Sequence, residues 1–188
     1  GQMNHIYGRR NISASCGKKV DGVNFSIANF TGQGQRSDNF YTGYDGAGAT
    51  QTYRYEDNRI DPNFLNLGIS SEKVRFRYIR EIYQMTTTST YGFDNATRPI
   101  ISEFHGQYLG LEYDVKPSEK VKVTPFIQYK IQKPWQSVDQ ELIGVVISNF
   151  TANRLKVGAN ATYEISDKSN LLVGYNRMQD SALNENYG

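Results

Sequence analysis

Hydrophobic and polar residues alternate one by one along most of this chain. In residues 154–178, RLKVGANATYEISDKSNLLVGYNRM, every second place is taken by Leu155, Val157, Ala159, Ala161, Tyr163 and Ile165. Lys156, Gly158, Asn160, Thr162 and Glu164 fill the gaps. A period of two with one apolar and one polar face predicts a β-strand. Polar residues at Ser166, Asp167, Lys168 and Ser169 predict a turn, after which Leu171, Val173 and Tyr175 alternate with Leu172, Gly174 and Asn176. The stretch therefore reads as a hairpin.

Three further hairpins follow the same rule. Ile12, Ala14 and Cys16 share a face, Asp21-Gly22 is a strong two-residue turn signal, and Val23, Phe25 and Ile27 return. Leu65, Leu67 and Ile69 lead through a turn at residues 70–73 to Val74, Phe76 and Tyr78, beyond which Arg80 falls on the apolar face and the alternation decays. Leu109, Leu111, Tyr113 and Val115 lead through KPSEK to Val121, Val123, Ile127, Tyr129 and Ile131. Pro125 sits within that last run, and its missing N–H predicts a bulge or local irregularity. Residues 31–62 read as a long polar loop with short strands of its own near residues 50–55, and residues 86–99 read as another loop. A third long connection carries an apolar core at residues 142–147 that suits a short helix or strand.

About eight strands in about four hairpins result, joined alternately by short turns and long connections. Short turns on one rim and long loops on the other predict an antiparallel up-and-down β-barrel of the outer-membrane kind. A soluble barrel alternates as well, with its apolar face inward. Three features favour the membrane. The polar face carries charge in mid-strand at Arg75, Arg77, Glu112, Asp114, Lys122 and Lys156, which suits a wet or hydrogen-bonded lumen. Tyr78, Tyr113, Tyr129, Tyr163 and Tyr175 lie near strand ends on the apolar face, where an aromatic girdle would sit. The asymmetry of connection lengths is the third.

Composition narrows the field further. The 188 residues include 14 Tyr and 17 Gly against one Trp, with 21 basic and 19 acidic residues for a net charge of +2. The charges are interspersed, so no basic stripe suggests nucleic acid. One cysteine excludes an internal disulfide, and with His5 and His105 far apart no metal site is expected. No run of about 18 apolar residues predicts a transmembrane helix. The opening GQMNHIYGRR lacks the basic start and apolar core of a signal peptide.

HIYGRRNISASCGKKVDGVNFSIANFTGQGQRSD resembles the first barrel hairpin, just after the plug domain, of TonB-dependent outer-membrane receptors. YLGLEYDVKPSEKVKVTPFIQYKIQKPW and residues 154–178 are similar to later hairpins of such barrels. The likeness spans most of the chain as a style of repeat and contains no diagnostic motif. It implies one barrel domain or barrel section over residues 1–188, without a plug domain, in the bacterial outer membrane. It further implies capture of an iron chelate or oligosaccharide by long outer loops, followed by TonB-coupled uptake. The alternatives are a complete eight-stranded outer-membrane barrel that anchors or adheres, a barrel enzyme, and a soluble ligand-binding barrel.

Candidate ligand-gripping residues are aromatic or basic and lie in the long connections: Tyr44, Tyr53, Arg54, Tyr55, Arg59 and Trp135. Glu56, Asp57 and Asp61 lie near them, but without the ligand spacing of a calcium loop. Candidate lumen residues are Arg75, Arg77, Glu112, Asp114, Lys122, Lys156, Asn160 and Glu164, with Arg75 and Arg77 expected to pair with Glu112 and Asp114 across the lumen. No cofactor is expected, and the chain is not expected to be an enzyme. Ser102, Glu103 and His105 are close in sequence, yet adjacent strand residues point to opposite faces, so a catalytic triad would need partners from elsewhere. Cys16, beside small residues on the apolar face, reads as an inert packing thiol rather than a nucleophile. Expected partners are outer-membrane lipid, a small-molecule or oligosaccharide ligand, and TonB in a complete receptor.

Overall fold

The computed structural model describes residues 9–35, 41–44, 50–53, 59–89, 98–137 and 150–184. Eight strands run in a continuous antiparallel path. They are β1 (Arg9–Val20), β2 (Val23–Gln35), β5 (Arg59–Ser70), β6 (Val74–Ser89), β7 (Arg98–Tyr113), β9 (Val121–Ser137), β10 (Phe150–Ser166) and β11 (Ser169–Asn184). A ninth, β8 (Val115–Ser118), continues β7 and pairs with β9. Separately, β3 (Tyr41–Tyr44) and β4 (Thr50–Tyr53) pair as a two-stranded ribbon. No helix occurs among the described residues, and the large sheet is not closed: β1 and β11 are its open edges.

Each of the four short turns has its own local cause. Asp21 (φ 48°) and Gly22 (φ 82°) both occupy the left-handed region that a type I′ hairpin turn requires. At the β5–β6 turn the Ser71 backbone N–H donates to the Val74 carbonyl at 2.8 Å, and the Val74 N–H donates to Ser71 Oγ at 3.1 Å. The β10–β11 register closes to Ser166↔Ser169 after a bulge beyond Glu164. KPSEK is not a turn throughout: its first residues belong to β8, and only Glu119 and Lys120 turn.

The strands outrun the regions where alternation is visible. Residues 31–35 and 59–62, expected as loop, belong to β2 and β5, which pair to Gln35↔Arg59. Residues 86–89 and 98–99, also expected as loop, are paired through Ser89↔Arg98. Beyond Tyr78 the ladder with β7 continues in one register although the hydropathy pattern fades. Hydrogen bonding to strands on both sides suffices there without an apolar face. Short strands were expected near residues 50–55, and β4 supplies one at residues 50–53. The apolar core at residues 142–147 lies outside the described residues.

The irregularity expected at Pro125 is present as a gap in the ladder, and a second one lies near Pro134. The β7–β9 register holds at Glu112↔Phe126 and is unchanged when β8 resumes at Val115↔Val123, but the rungs opposite Pro125 and Thr124 are missing. Pro125 thus interrupts the ladder without a bulge. The register shift falls instead beside Pro134, between Glu103↔Gln136 and His105↔Lys133, where β9 carries one residue more than β7.

Candidate functional site

Directly opposed residues share a face, so the registers sort every side chain of the large sheet. Nearly all the exposed large apolar side chains fall on one side: among them Ile12, Phe25, Ile27, Ile69, Leu109, Leu111, Tyr113, Ile127, Tyr129, Val157, Tyr163, Val173 and Tyr175. Exposure reaches 71% at Ile12 and 74% at Tyr175, and no large side chain among the described residues is fully buried. Among the described residues the large sheet is one layer, with no second layer packed on its apolar face.

That face is banded. On β9 and β10 the apolar positions run over residues 121–131 and 155–165, about 34 Å along a strand. On β5 and β6 the band narrows to residues 65–69 and 74–78, after which Asn63 and Arg80 follow. Tyr78 and Tyr129 share the row of Leu67, Leu109 and Leu155; in the next row Arg80, Gln107 and Asn153 stand with Leu65 and Ile131. Tyr163 lies at the other end, opposite Val121 and Leu171 near the short turns. Cys16 is exposed on this face, opposite Ile27, and is not packed as expected.

The opposite face is polar and rich in glycine. All eight expected lumen residues lie on it: Arg75, Arg77, Glu112, Asp114, Lys122, Lys156, Asn160 and Glu164. So do all the glycines of the nine-stranded sheet, Gly17, Gly32, Gly34, Gly68, Gly106, Gly110, Gly158 and Gly174. Missing side chains let neighbours lie flat. A methyl at Gly110 would come within 2.7 Å of Tyr108 Oη, and one at Gly158 within 2.7 Å of Phe126 Cζ, so each ring covers a glycine. Glycines gathered on one face suit a sheet that curls toward that face, where side chains crowd.

Asp114 is the centre of a charge cluster and the one buried charged side chain among the described residues, 6% exposed. It accepts from Arg75 Nη1 and Nη2 at 2.8 and 2.9 Å and from Thr124 Oγ1 at 2.7 Å, and Lys122 Nζ lies 2.8 Å away. Arg75 Nε also donates to Glu112 at 2.9 Å. Its partners, rather than a second layer of structure, remove Asp114 from solvent. The pairing differs from the expected one in two ways. It joins neighbouring strands rather than spanning a lumen, and Arg77 is not part of it: Arg77 Nε donates to Asn66 Oδ1 at 3.2 Å. Arg75 can therefore serve structure while Arg77 keeps its charge unneutralised.

Farther along, Arg154 donates to both carboxylate oxygens of Asp180 at 2.7 and 2.8 Å. This pair sits where the apolar run of β10 begins, next to Leu155. Between the two ion clusters the polar face forms a concavity of about 440 Å³, lined in part by Glu81, Tyr108, Gln128, Lys130, Gln132 and Lys156. Tyr108, Thr124, Lys130 and the Arg154–Asp180 pair belong to this face without being singled out by the sequence pattern. Their alternation gives the face, but only the register gives the neighbours.

The expected loop residues divide. Arg59 lies in β5, not in a loop, and Nη2 donates to Asp61 at 3.3 Å on its own strand. Trp135 belongs to the backbone of β9 at the irregularity beside Pro134, and Tyr44 and Tyr53 belong to β3 and β4. Arg54 and Tyr55 lie outside the described residues, as do Glu56 and Asp57. No grouping of three or more metal-ligating side chains occurs among the described residues. His105 Nε2 lies 2.8 Å from Glu103 Oε2, an ion pair or hydrogen bond with no nucleophile placed against it by any observed contact.

No protein-family model, curated protein or solved structure matches this chain.

Proposed function

We propose that this chain forms a membrane-spanning β-barrel, or a section of one, in the bacterial outer membrane, of the TonB-dependent receptor type, and that it serves uptake of a scarce nutrient such as an iron chelate or an oligosaccharide. The observation that carries the reading is the continuous apolar face, which no other described residues cover. Soluble monomers rarely leave apolar patches beyond a few hundred Å², and lipid is the medium that satisfies such a face while the sheet satisfies the backbone. The band length supports this: about 34 Å along a strand tilted by about 45° spans about 24 Å, close to the roughly 25 Å apolar belt of such barrels. Tyr78 and Tyr129 at one end of the band and Tyr163 at the other fit an interfacial girdle, whereas Tyr175, opposite Ala159, stands within the band rather than near a strand end, where it was expected. The polar, glycine-lined face then becomes the lumen, and the short turns lie on the periplasmic side. The likeness of three hairpins to those of TonB-dependent receptors supports the transport reading over an anchoring barrel.

Cys16 supplies a direct test, because it is the only cysteine and lies on the apolar face. A nitroxide attached there in the full-length protein, reconstituted in vesicles, is expected to collide more with oxygen than with a water-soluble nickel chelate. The reverse preference overturns the membrane reading. The same preparation is expected to migrate differently on gels before and after heating. Solubility as a monodisperse protein in plain buffer would oppose the proposal.

A further inference from the structure

We infer that the polar face carries a binding site for a small organic anion with hydroxyl groups, such as an acidic sugar. This rests on the reading of that face as the wet lumen of an uptake barrel, and it names the charge of the solute. Lys130, Arg154 and Lys156 line the concavity there, and Arg77 stands outside its lining, three strands from Lys156. Arg77, Gly110, Gln128 and Lys156 stand in one row across β6, β7, β9 and β10, and Tyr108, Lys130 and Arg154 stand in the next. Lys130 and Lys156 are therefore diagonal neighbours across adjacent strands, with backbones about 7–8 Å apart.

Arg154 is paired with Asp180, but the other three have little to neutralise them. Lys130 makes no ion pair or hydrogen bond to any described residue, and the described contact of Lys156 is with the Phe126 ring, 5.5 Å from its centroid. Among the described residues Arg77 bonds to the neutral Asn66 and to no carboxylate. Three carboxylates of this face are held by cations, Glu112 and Asp114 by Arg75 and Lys122 and Asp180 by Arg154, and Glu164 lies eight residues along β10 from Lys156, near the short turn. Glu81 alone adds negative charge to the lining of the concavity. Like charges set side by side repel, and an anion between them removes the repulsion.

The neighbours suit hydroxyl groups. Gln128 and Gln132 each present an amide that both donates and accepts, and Tyr108 lies over Gly110 as a flat surface against which a sugar ring can rest. Lysines act as compact point charges rather than bidentate forks, so carboxylate and phosphate are both admitted. A concavity of about 440 Å³ falls in the range of small-ligand sites.

The test is calorimetric titration of the full-length protein in detergent micelles with digalacturonate and citrate, and with maltotriose as the neutral comparison. Saturable binding of at least one anion is expected, at least tenfold tighter than maltotriose and weakened by salt. The double substitution K130Q/K156Q is expected to lose at least tenfold in anion affinity, K130R/K156R to retain it, and K168Q, at the β10–β11 turn, to leave it unchanged. Heat-dependent gel migration is followed in every variant, so a folding failure is seen separately. Anion binding equal to that of maltotriose, or unchanged in K130Q/K156Q, overturns the inference. A protein that binds anions without a heat-dependent shift would sink the barrel reading and leave the anion site standing.

Discussion

Replacing Ile127 with arginine is expected to destabilise the protein in phospholipid vesicles by about 2–4 kcal/mol, the cost of a cation near the middle of a lipid-facing barrel surface. Ile127 is suited to this because it lies near the centre of the apolar run of β9, between Leu111 and Val157 on neighbouring strands, and is 43% exposed. Asn160→Arg, one strand away on the polar face, is expected to cost less than about 1 kcal/mol, as ordinary surface changes do. Urea titration followed by the fluorescence of the single Trp135 measures both. The contrast matters more than either value. A face bathed in water would tolerate arginine at 127 nearly as well as at 160, and equal effects would remove the membrane assignment.

Much of this architecture is legible in the residues because alternation fixes which side chains share a face. Asp21-Gly22 announces its turn, and the polar positions from Arg75 to Glu164 all fall where the pattern puts them. What alternation cannot reach is the part of a strand whose two faces are both polar. Residues 31–35 and 86–89 carry Thr, Gln, Gly and Ser, so nothing in their hydropathy separates a solvated strand end from a loop; neighbouring ladders decide it. Registers are hidden for the same reason. A shift of two residues preserves every face yet changes every neighbour, which is why Arg77 was expected beside an acid and meets Asn66 instead. The prolines follow this logic too. Their missing N–H is certain from the sequence, but whether the sheet answers with a gap or a bulge depends on what the opposite strand supplies.

At Pro125 the opposite strand supplies Asp114, which makes the second large effect predictable. Where the β7–β9 ladder lapses, the Asp114 backbone N–H still donates to the Lys73 carbonyl at 2.7 Å, in register with Val74↔Tyr113 of the β6–β7 ladder, while its carboxylate reaches across to Thr124 Oγ1. Side chains thus span the gap that proline leaves, and the register on both sides of it is preserved. Asp114→Ala removes the acceptor shared by Arg75, Lys122 and Thr124. Breaking a fully buried pair costs about 3–5 kcal/mol. Arg75 and Lys122 are 41% and 43% exposed, and Arg75 keeps Glu112, so the expected loss is about 1–3 kcal/mol. Equilibrium unfolding gives the value, and amide exchange locates it: residues near 113–124 are expected to lose protection while β1 and β2 keep theirs. Adding Pro125→Ala to Asp114→Ala restores a backbone donor opposite Tyr113 and is expected to recover part of the loss. If the double variant is no more stable than Asp114→Ala alone, the network serves charge balance and not the ladder. Recovery assigns Asp114 the role of holding strand register around a proline.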